Sequence, residues 1–147
     1  GTEALHIMRA EKGFIMIGDE TDGTVTPQDL NLDWAISKKK QDYLGMRAHE
    51  RPFFRNPNRK KLVGLLTKDP QIVLPDGGQI LENFDDRVGD RPIGHITSTY
   101  FSPTLGHSIA MALIEGGLDN LGRRVSIPIT SRKVINAKVV QPKFLDT

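Results

Sequence analysis

The 147-residue chain contains no cysteine. Disulfides, thiolate nucleophiles, Cys-based zinc sites and Cys-ligated iron–sulfur clusters are therefore excluded. Compartment is not fixed by this absence, since a reducing cytosol merely tolerates a Cys-free chain. No apolar run approaches the roughly 18 residues that a membrane span requires. There is no charged–apolar–small leader at the front and no initiating Met. The chain opens on Gly1-Thr2-Glu3-Ala4-Leu5, already in the rhythm of a helix, as though entered partway through. Its length suffices for one domain that buries about two-thirds of its unfolded surface, so it needs no covalent staples.

Charge is nearly balanced but unevenly spread. The formal net charge is +2, from 20 Lys+Arg and 18 Asp+Glu. Residues 38–61 hold nine of the basic residues against Asp42 and Glu50, a local balance of +7, and the rest of the chain carries −5. Tyr43, Phe53 and Phe54 interleave this basic segment, a composition compatible with nucleic acid, an acidic partner subunit or a solvated connector. No zinc-finger, KH or RRM pattern supports nucleic acid, and a connector is the expectation.

Along the chain, Thr2 to Lys12 reads as a helix, capped by Thr2 and stopped at Gly13. Phe14-Ile15-Met16-Ile17 suits a short buried strand. Thr26-Pro27-Gln28-Asp29 has the chemistry of a helix start, with a hydroxyl acceptor and Pro at the first helical position. Leu30 to Ile36 reads as a short helical turn passing into a strand. Asp42 begins another short helix that ends before Arg51-Pro52. From about Lys61 the texture changes to short strands separated by turns. Strands are expected at Lys61–Leu66, after Pro75-Asp76-Gly77-Gly78, at Ile93–Phe101, Ser108–Ile114, Arg124–Ile129 and Val134–Val140, with a polar loop over Asn83–Arg91. The fold class is thus α+β and mostly β, a small helix–strand unit followed by an antiparallel β-barrel or sandwich.

Catalytic patterns are scarce. His6, His49, His95 and His107 stand in no metal-binding spacing. The hydroxyls of Thr97-Ser98-Thr99 and Ser102 lack a Gly-x-Ser-x-Gly elbow and read as hydrogen bonding along and at the end of a strand. Asp85, Asp86 and Asp90 do not match a calcium loop. Gly77-Gly78 belongs to a turn rather than a phosphate loop. The most suggestive element is Arg9-Ala10-Glu11-Lys12-Gly13, where a helix runs into an apolar segment. A semi-buried Arg9 presents a planar fork suited to a carboxylate or another anion, either a ligand's or that of a structural salt bridge.

These residues, continued through Gly18, Asp22 and Thr26-Pro27, resemble the Arg-x-Glu-x-Gly … Thr-Pro region of the glycine-cleavage T-protein (aminomethyltransferase) superfamily. The likeness runs in order through Leu32-Asp33-Trp34, Asp42-Tyr43-Leu44-Gly45 and Lys61-Leu62-Val63-Gly64-Leu65. It is strongest in Gly94-His95-Ile96-Thr97-Ser98 and Phe101-Ser102-Pro103-Thr104-Leu105-Gly106-His107-Ser108-Ile109-Ala110-Met111-Ala112, and it ends at Val139-Val140-Gln141-Pro142-Lys143-Phe144. Within the superfamily, Arg9–Phe14, Asp22–Pro27 with Ser37-Lys38-Lys39-Lys40, and Val73–Ile80 are most similar to the alpha subunits of heterotetrameric sarcosine oxidases.

The resemblance implies a domain plan: the end of a folate-binding domain over residues 1–50, a linker over 51–60 and a C-terminal barrel over 61–147. It implies tetrahydrofolate as the cofactor of this region, with Arg9 as a folate-binding residue, no catalytic residue and no metal site. The family's acidic residue that assists folate chemistry, and a second folate-binding Glu, fall upstream of Gly1, so the segment alone is expected to be inert. An aromatic residue of T-proteins corresponds to Ile17 here, which removes ring stacking at that position. FAD, FMN and NAD belong elsewhere in such an enzyme. Implied partners are reduced folate and the other sarcosine oxidase subunits, without nucleic acid or membrane, in a cytoplasmic enzyme. An aminomethyltransferase or a dimethylglycine dehydrogenase is the alternative source of the same segment.

Overall fold

The computed structural model describes residues 1–83, 91–130 and 133–146. Among the described residues, six antiparallel strands dominate: β1 (Lys60–Thr67), β2 (Gln79–Ile80), β3 (Gly94–Ser102), β4 (His107–Glu115), β5 (Arg124–Thr130) and β6 (Lys133–Val140). Their order across the sheet is β2-β3-β4-β1-β6-β5. A bridge between Leu81 and Ser126, with both backbone hydrogen bonds at 2.9 Å, brings the two ends of the sheet together. The sheet therefore curls into the antiparallel barrel expected from the turn-punctuated strands.

Alternation assigns each side chain to a layer. Val63, Leu65, Ile96, Ala112, Ile114, Val125, Ile127 and Val139 point inward and fill the barrel. On the outer face of the same strands, Leu62, Ile109, Met111 and Leu113 pack under Ala10 and Leu30 of the N-terminal segment. β1 and β4 are thus buried on both sides, which is why Leu62–Leu66 and Ile109–Ile114 read as continuous apolar runs. Full burial of each such side chain contributes about 1.5–3 kcal/mol.

The N-terminal segment lies on this outer face. Helix α1 (Thr2–Glu11) begins at Gly1 without a side-chain cap, so Thr2 is not its N-cap, and Gly13 takes the expected left-handed geometry. Phe14–Ile17 is not a strand, and both Phe14 and Ile17 are exposed. Its backbone is occupied by side chains instead: Phe14 O accepts from Arg9, and Met16 N donates to Glu20. Nor is there a strand after Leu30. A 3₁₀ turn over Pro27–Leu30 ends at Asn31 (φ 59°), and a second over Asp33–Ala35 leaves Trp34 exposed. Asn31 anchors the pair by donating to Leu62 O at 2.9 Å.

Helices α2 (Met46–His49) and α3 (Pro52–Arg55) follow. The former starts at Gly45 rather than at Asp42, because Gly45 is left-handed (φ 94°). The latter places one helical turn within the segment 51–60. Residues 84–90, most of the expected polar loop, lie outside the described residues.

The helix end is fastened to the C-terminal tail. Phe144 N and Leu145 N both donate to Glu11 O at 2.9 Å. A Cβ on Gly13 would stand 2.1 Å from Pro142 O, on a backbone with φ +75°. Gly13→Ala is therefore expected to destabilise the chain by at least about 2 kcal/mol in urea titration. Gly18→Ala, also at positive φ but with nothing within 4 Å, should lose only the conformational cost of about 1–2 kcal/mol. Equal losses at the two positions would show that the tail contact contributes nothing.

Candidate functional site

Arg9, the residue singled out by its pattern, sits on the last turn of α1 and is 7% exposed. Both terminal nitrogens are engaged. Nη1 donates to Glu20 Oε2 at 2.7 Å and to Phe14 O at 3.2 Å. Nη2 donates to Asp19 Oδ2 at 3.0 Å, to Ser98 Oγ at 2.7 Å and to Tyr100 Oη at 3.3 Å. The Tyr100 ring lies 5.7 Å from the guanidinium carbon, and its hydroxyl is 3.4 Å from His6 Nδ1. Arg9 Nε is buried without a partner among the described residues.

Glu20 is the counterpart that the sequence reading missed. Its side chain is completely buried. One oxygen accepts from Arg9 and from Met16 N, and the other accepts from Thr97 and Ser98. Consecutive strand residues normally face opposite sides. Here the β3–β4 register shifts between Ile96 and Ser98, and this bulge lets Thr97 and Ser98 reach the same carboxylate. The signal in the sequence was the hydroxyl pair itself, set in a β-branched run where only a buried polar partner justifies it. Those hydroxyls serve a residue about 80 positions away rather than only their own strand.

Arg9 and Glu11 do not meet. Glu11 is buried separately, accepting from Ser102 Oγ at 2.5 Å, and Ser102 Oγ also accepts from Leu105 N. The helix end is thus held at two points of the β3–β4 hairpin. A second arginine repeats the device from the basic segment. Arg59 Nε lies 3.0 Å from Asp29 Oδ1, Nη2 donates to Thr24 O, and the guanidinium stacks 4.9 and 5.1 Å from the Phe53 and Phe54 rings. Asp29 simultaneously closes the capping box with Thr26. Burial pushes the Asp29 carboxyl up, but hydrogen bonds from Arg59 and Thr26 and the Arg59 charge outweigh it, so its pKa lies below the ordinary value.

The histidines are dispersed. His6 meets Tyr100 edge-on, His49 lies between Tyr43 and Gln28, and His107 Nδ1 donates to Ser108 O. His95 is half-buried, and burial together with Lys60 lowers its pKa against the pull of Asp22. No group of three metal-ligating side chains occurs among the described residues. No described helix is long and apolar enough to cross a membrane.

A curled six-stranded antiparallel barrel, carrying a helix end clamped to its outer face through an Arg-x-Glu-x-Gly element, defines the class. Residues 60–146 match the model of the glycine cleavage T-protein C-terminal barrel domain, and residues 1–40 match that of the GCVT N-terminal domain. The chain belongs to the glycine cleavage T-protein family. It is 40% identical over 136 residues to the sarcosine oxidase subunit alpha of Corynebacterium sp. (strain P-1), spanning 91% of this chain and 14% of that protein. It is 33% identical over 127 residues to the subunit of the same name from Rhizobium meliloti (strain 1021), spanning 86% of this chain and 13% of that protein. The crystal structure of the glycine cleavage system aminomethyltransferase T from Bartonella henselae superposes with a TM-score of 0.81 at 26% identity, over 99% of this chain and 39% of that one. The chain thus spans about a seventh of the curated relatives that it matches.

Two predictions follow from the clamps. Truncating one member of the buried pair, as in Glu20→Ala, should cost about 3–5 kcal/mol in chemical denaturation, while Arg9→Met/Glu20→Leu should restore most of it. A cost below 1 kcal/mol for the single variant would contradict the assignment. Because the folded state depresses the Asp29 pKa, its ionised form stabilises the fold above the usual carboxylate range of about 4, and that contribution is lost as pH falls through the lower folded value. In Arg59→Ala, burial is left less opposed, so acid unfolding followed by circular dichroism should begin at higher pH than in the wild type.

Proposed function

We infer that this chain is the barrel-bearing part of a folate-handling domain within an oxidoreductase subunit of the sarcosine oxidase alpha type. The observation that carries this reading is the 33–40% identity to those subunits over most of the chain. The aminomethyltransferase fold agrees with it. The activity is oxidative demethylation of sarcosine to glycine with hydrogen peroxide production, the one-carbon unit passing to tetrahydrofolate. FAD, FMN and NAD are held by other parts of the enzyme, and the remaining subunits are the protein partners.

Within that plan, residues 1–50 end the folate-binding domain, 51–60 connect, and 61–147 form the barrel. Exposed apolar side chains support a larger neighbour on the first unit: Leu5, Met8, Phe14, Ile17, Trp34 and Leu44 are all exposed there. Arg9 is the folate-binding residue of this segment. The residues present fit one wall of such a site: an unpartnered buried Nε beside the half-buried Tyr100 and His6. Glu20, Ser98 and Asp19 fix the guanidinium in place, and the segment contributes no catalytic group of its own. When bound, the reduced folate supplies the acceptor nitrogens for the one-carbon unit. The likeness to the aminomethyltransferase favours a second reading, a segment of a stand-alone transferase, which a Gly-x-Gly-x-x-Gly dinucleotide motif upstream in the same polypeptide would rule out.

Isothermal titration of the complete polypeptide with a reduced folate tests the proposal. Binding is expected for the complete polypeptide and absent for the 147-residue chain. Arg9→Lys, which keeps the charge but not the fork, should weaken binding about tenfold. Tight binding by the 147-residue chain, unaffected by Arg9→Lys, would overturn both the half-site and the role of Arg9.

A further inference from the structure

The outer face of the barrel is only partly covered. The N-terminal segment and Phe144 lie over β1, β3 and β4, whereas β5 and β6 turn polar residues to solvent. Three adjoining hollows of about 370, 500 and 440 Å³ follow this uncovered side. The first and second share Leu66 and His107, and the second and third share Thr67, Lys68 and Asn136, so together they form one continuous groove.

Its charge is one-sided. Lys68, Arg124, Lys133 and Lys138 line it and make no ion pair among the described residues, and Asp69 is its one acidic lining residue. Between the cations, Leu66, Ile72, Val134 and Val140 supply apolar contact. The groove also contains an unpaired stretch of strand. β6 pairs with β5 from Lys133 to Lys138 but with β1 only from Ala137 onward, so Lys133–Asn136 has a strand on one side only. An open edge of this kind is a template for an added strand.

We propose that this groove docks an extended acidic peptide segment of a partner polypeptide, added as a strand along Lys133–Asn136 with its carboxylates on Lys68, Arg124 and Lys138. Three features select a peptide of this chemistry. The open edge offers backbone hydrogen bonds that an extended chain complements. Four cations that make no ion pair among the described residues, with apolar side chains between them and Asp69 as the one acidic residue lining the groove there, match a peptide that carries carboxylates beside apolar residues. Phe144 and His107 are the only rings among the described lining residues, and His107 Nδ1 is tied to Ser108 O, so a run of stacking platforms for nucleic-acid bases is lacking. This basic groove is distinct from the basic segment 38–61, none of whose residues line it.

Fluorescence anisotropy with the 147-residue chain and a fluorescein-labelled decapeptide of alternating Glu and Val tests this directly. The peptide should bind, weaken as salt rises, and bind about tenfold more weakly to Lys68→Glu/Lys138→Glu. Methylating alternate peptide nitrogens should abolish binding, as strand addition requires. Lys38→Glu/Lys39→Glu/Lys40→Glu should leave affinity unchanged, and thermal melts establish that these exposed substitutions keep the fold. Absence of binding, loss caused by the 38–40 variant instead, or equal and competing affinity for single-stranded oligothymidine would each overturn the proposal.

Discussion

The contact on which the structure turns is the buried pair between Arg9 and Glu20. A guanidinium and a carboxylate removed from water are costly unless most of their lone pairs and protons find partners. Here the partners come from three separate pieces of chain: the helix end, the loop over residues 14–20 and the bulged strand β3. Satisfying the pair therefore requires all three to be in place at once. That requirement converts a helix and an irregular loop, which share little regular hydrogen bonding with the barrel, into part of its outer layer. Apolar burial of Ala10 and Leu30 against Leu62 and Met111 then adds to a geometry already specified by polar contacts.

The same logic recurs in smaller form. Arg59 carries the basic connector onto the capped turn at Thr26–Asp29, and Glu11 carries the helix end onto the β3–β4 hairpin and the C-terminal tail. Arg59 does so with a charged side chain that completes carboxylate and backbone hydrogen bonds, whereas Glu11 accepts from the Ser102 hydroxyl with its carboxylate and from the Phe144 and Leu145 amides with its backbone carbonyl. An isolated surface ion pair contributes little. These pairs differ because Asp29 and Glu20 are almost entirely buried and multiply bonded.

What was legible in the sequence follows from this division of labour. The strands were legible because their information is local: β-branched and apolar residues between turns, with Leu62–Leu66 and Ile109–Ile114 continuous because both faces are covered. The cap at Thr26-Pro27-Asp29 was legible for the same reason. The rest of the segment from Phe14 to Ile36 was not, because its backbone is bonded by side chains such as Arg9, Glu20 and Arg59 that are themselves fixed by contacts distant in sequence. An apolar run such as Phe14–Ile17 then looks like a buried strand while two of its residues face solvent. Arg9 stood out by motif, but its partner Glu20 did not, since nothing local in Gly18-Asp19-Glu20 announces a bond to Ser98. The bulge at Thr97, which makes that bond possible, is likewise invisible until the register with β4 is known.

If the pair couples the N-terminal segment to the barrel, the two must open together. Native-state hydrogen exchange of the wild-type chain, resolved to peptides by mass spectrometry, measures this most directly. The amides of α1 and of Met16–Glu20 should exchange with the same opening free energy and denaturant dependence as those of β3 and β4. Exchange of the N-terminal amides at a much lower free energy, with the barrel still protected, would contradict the account.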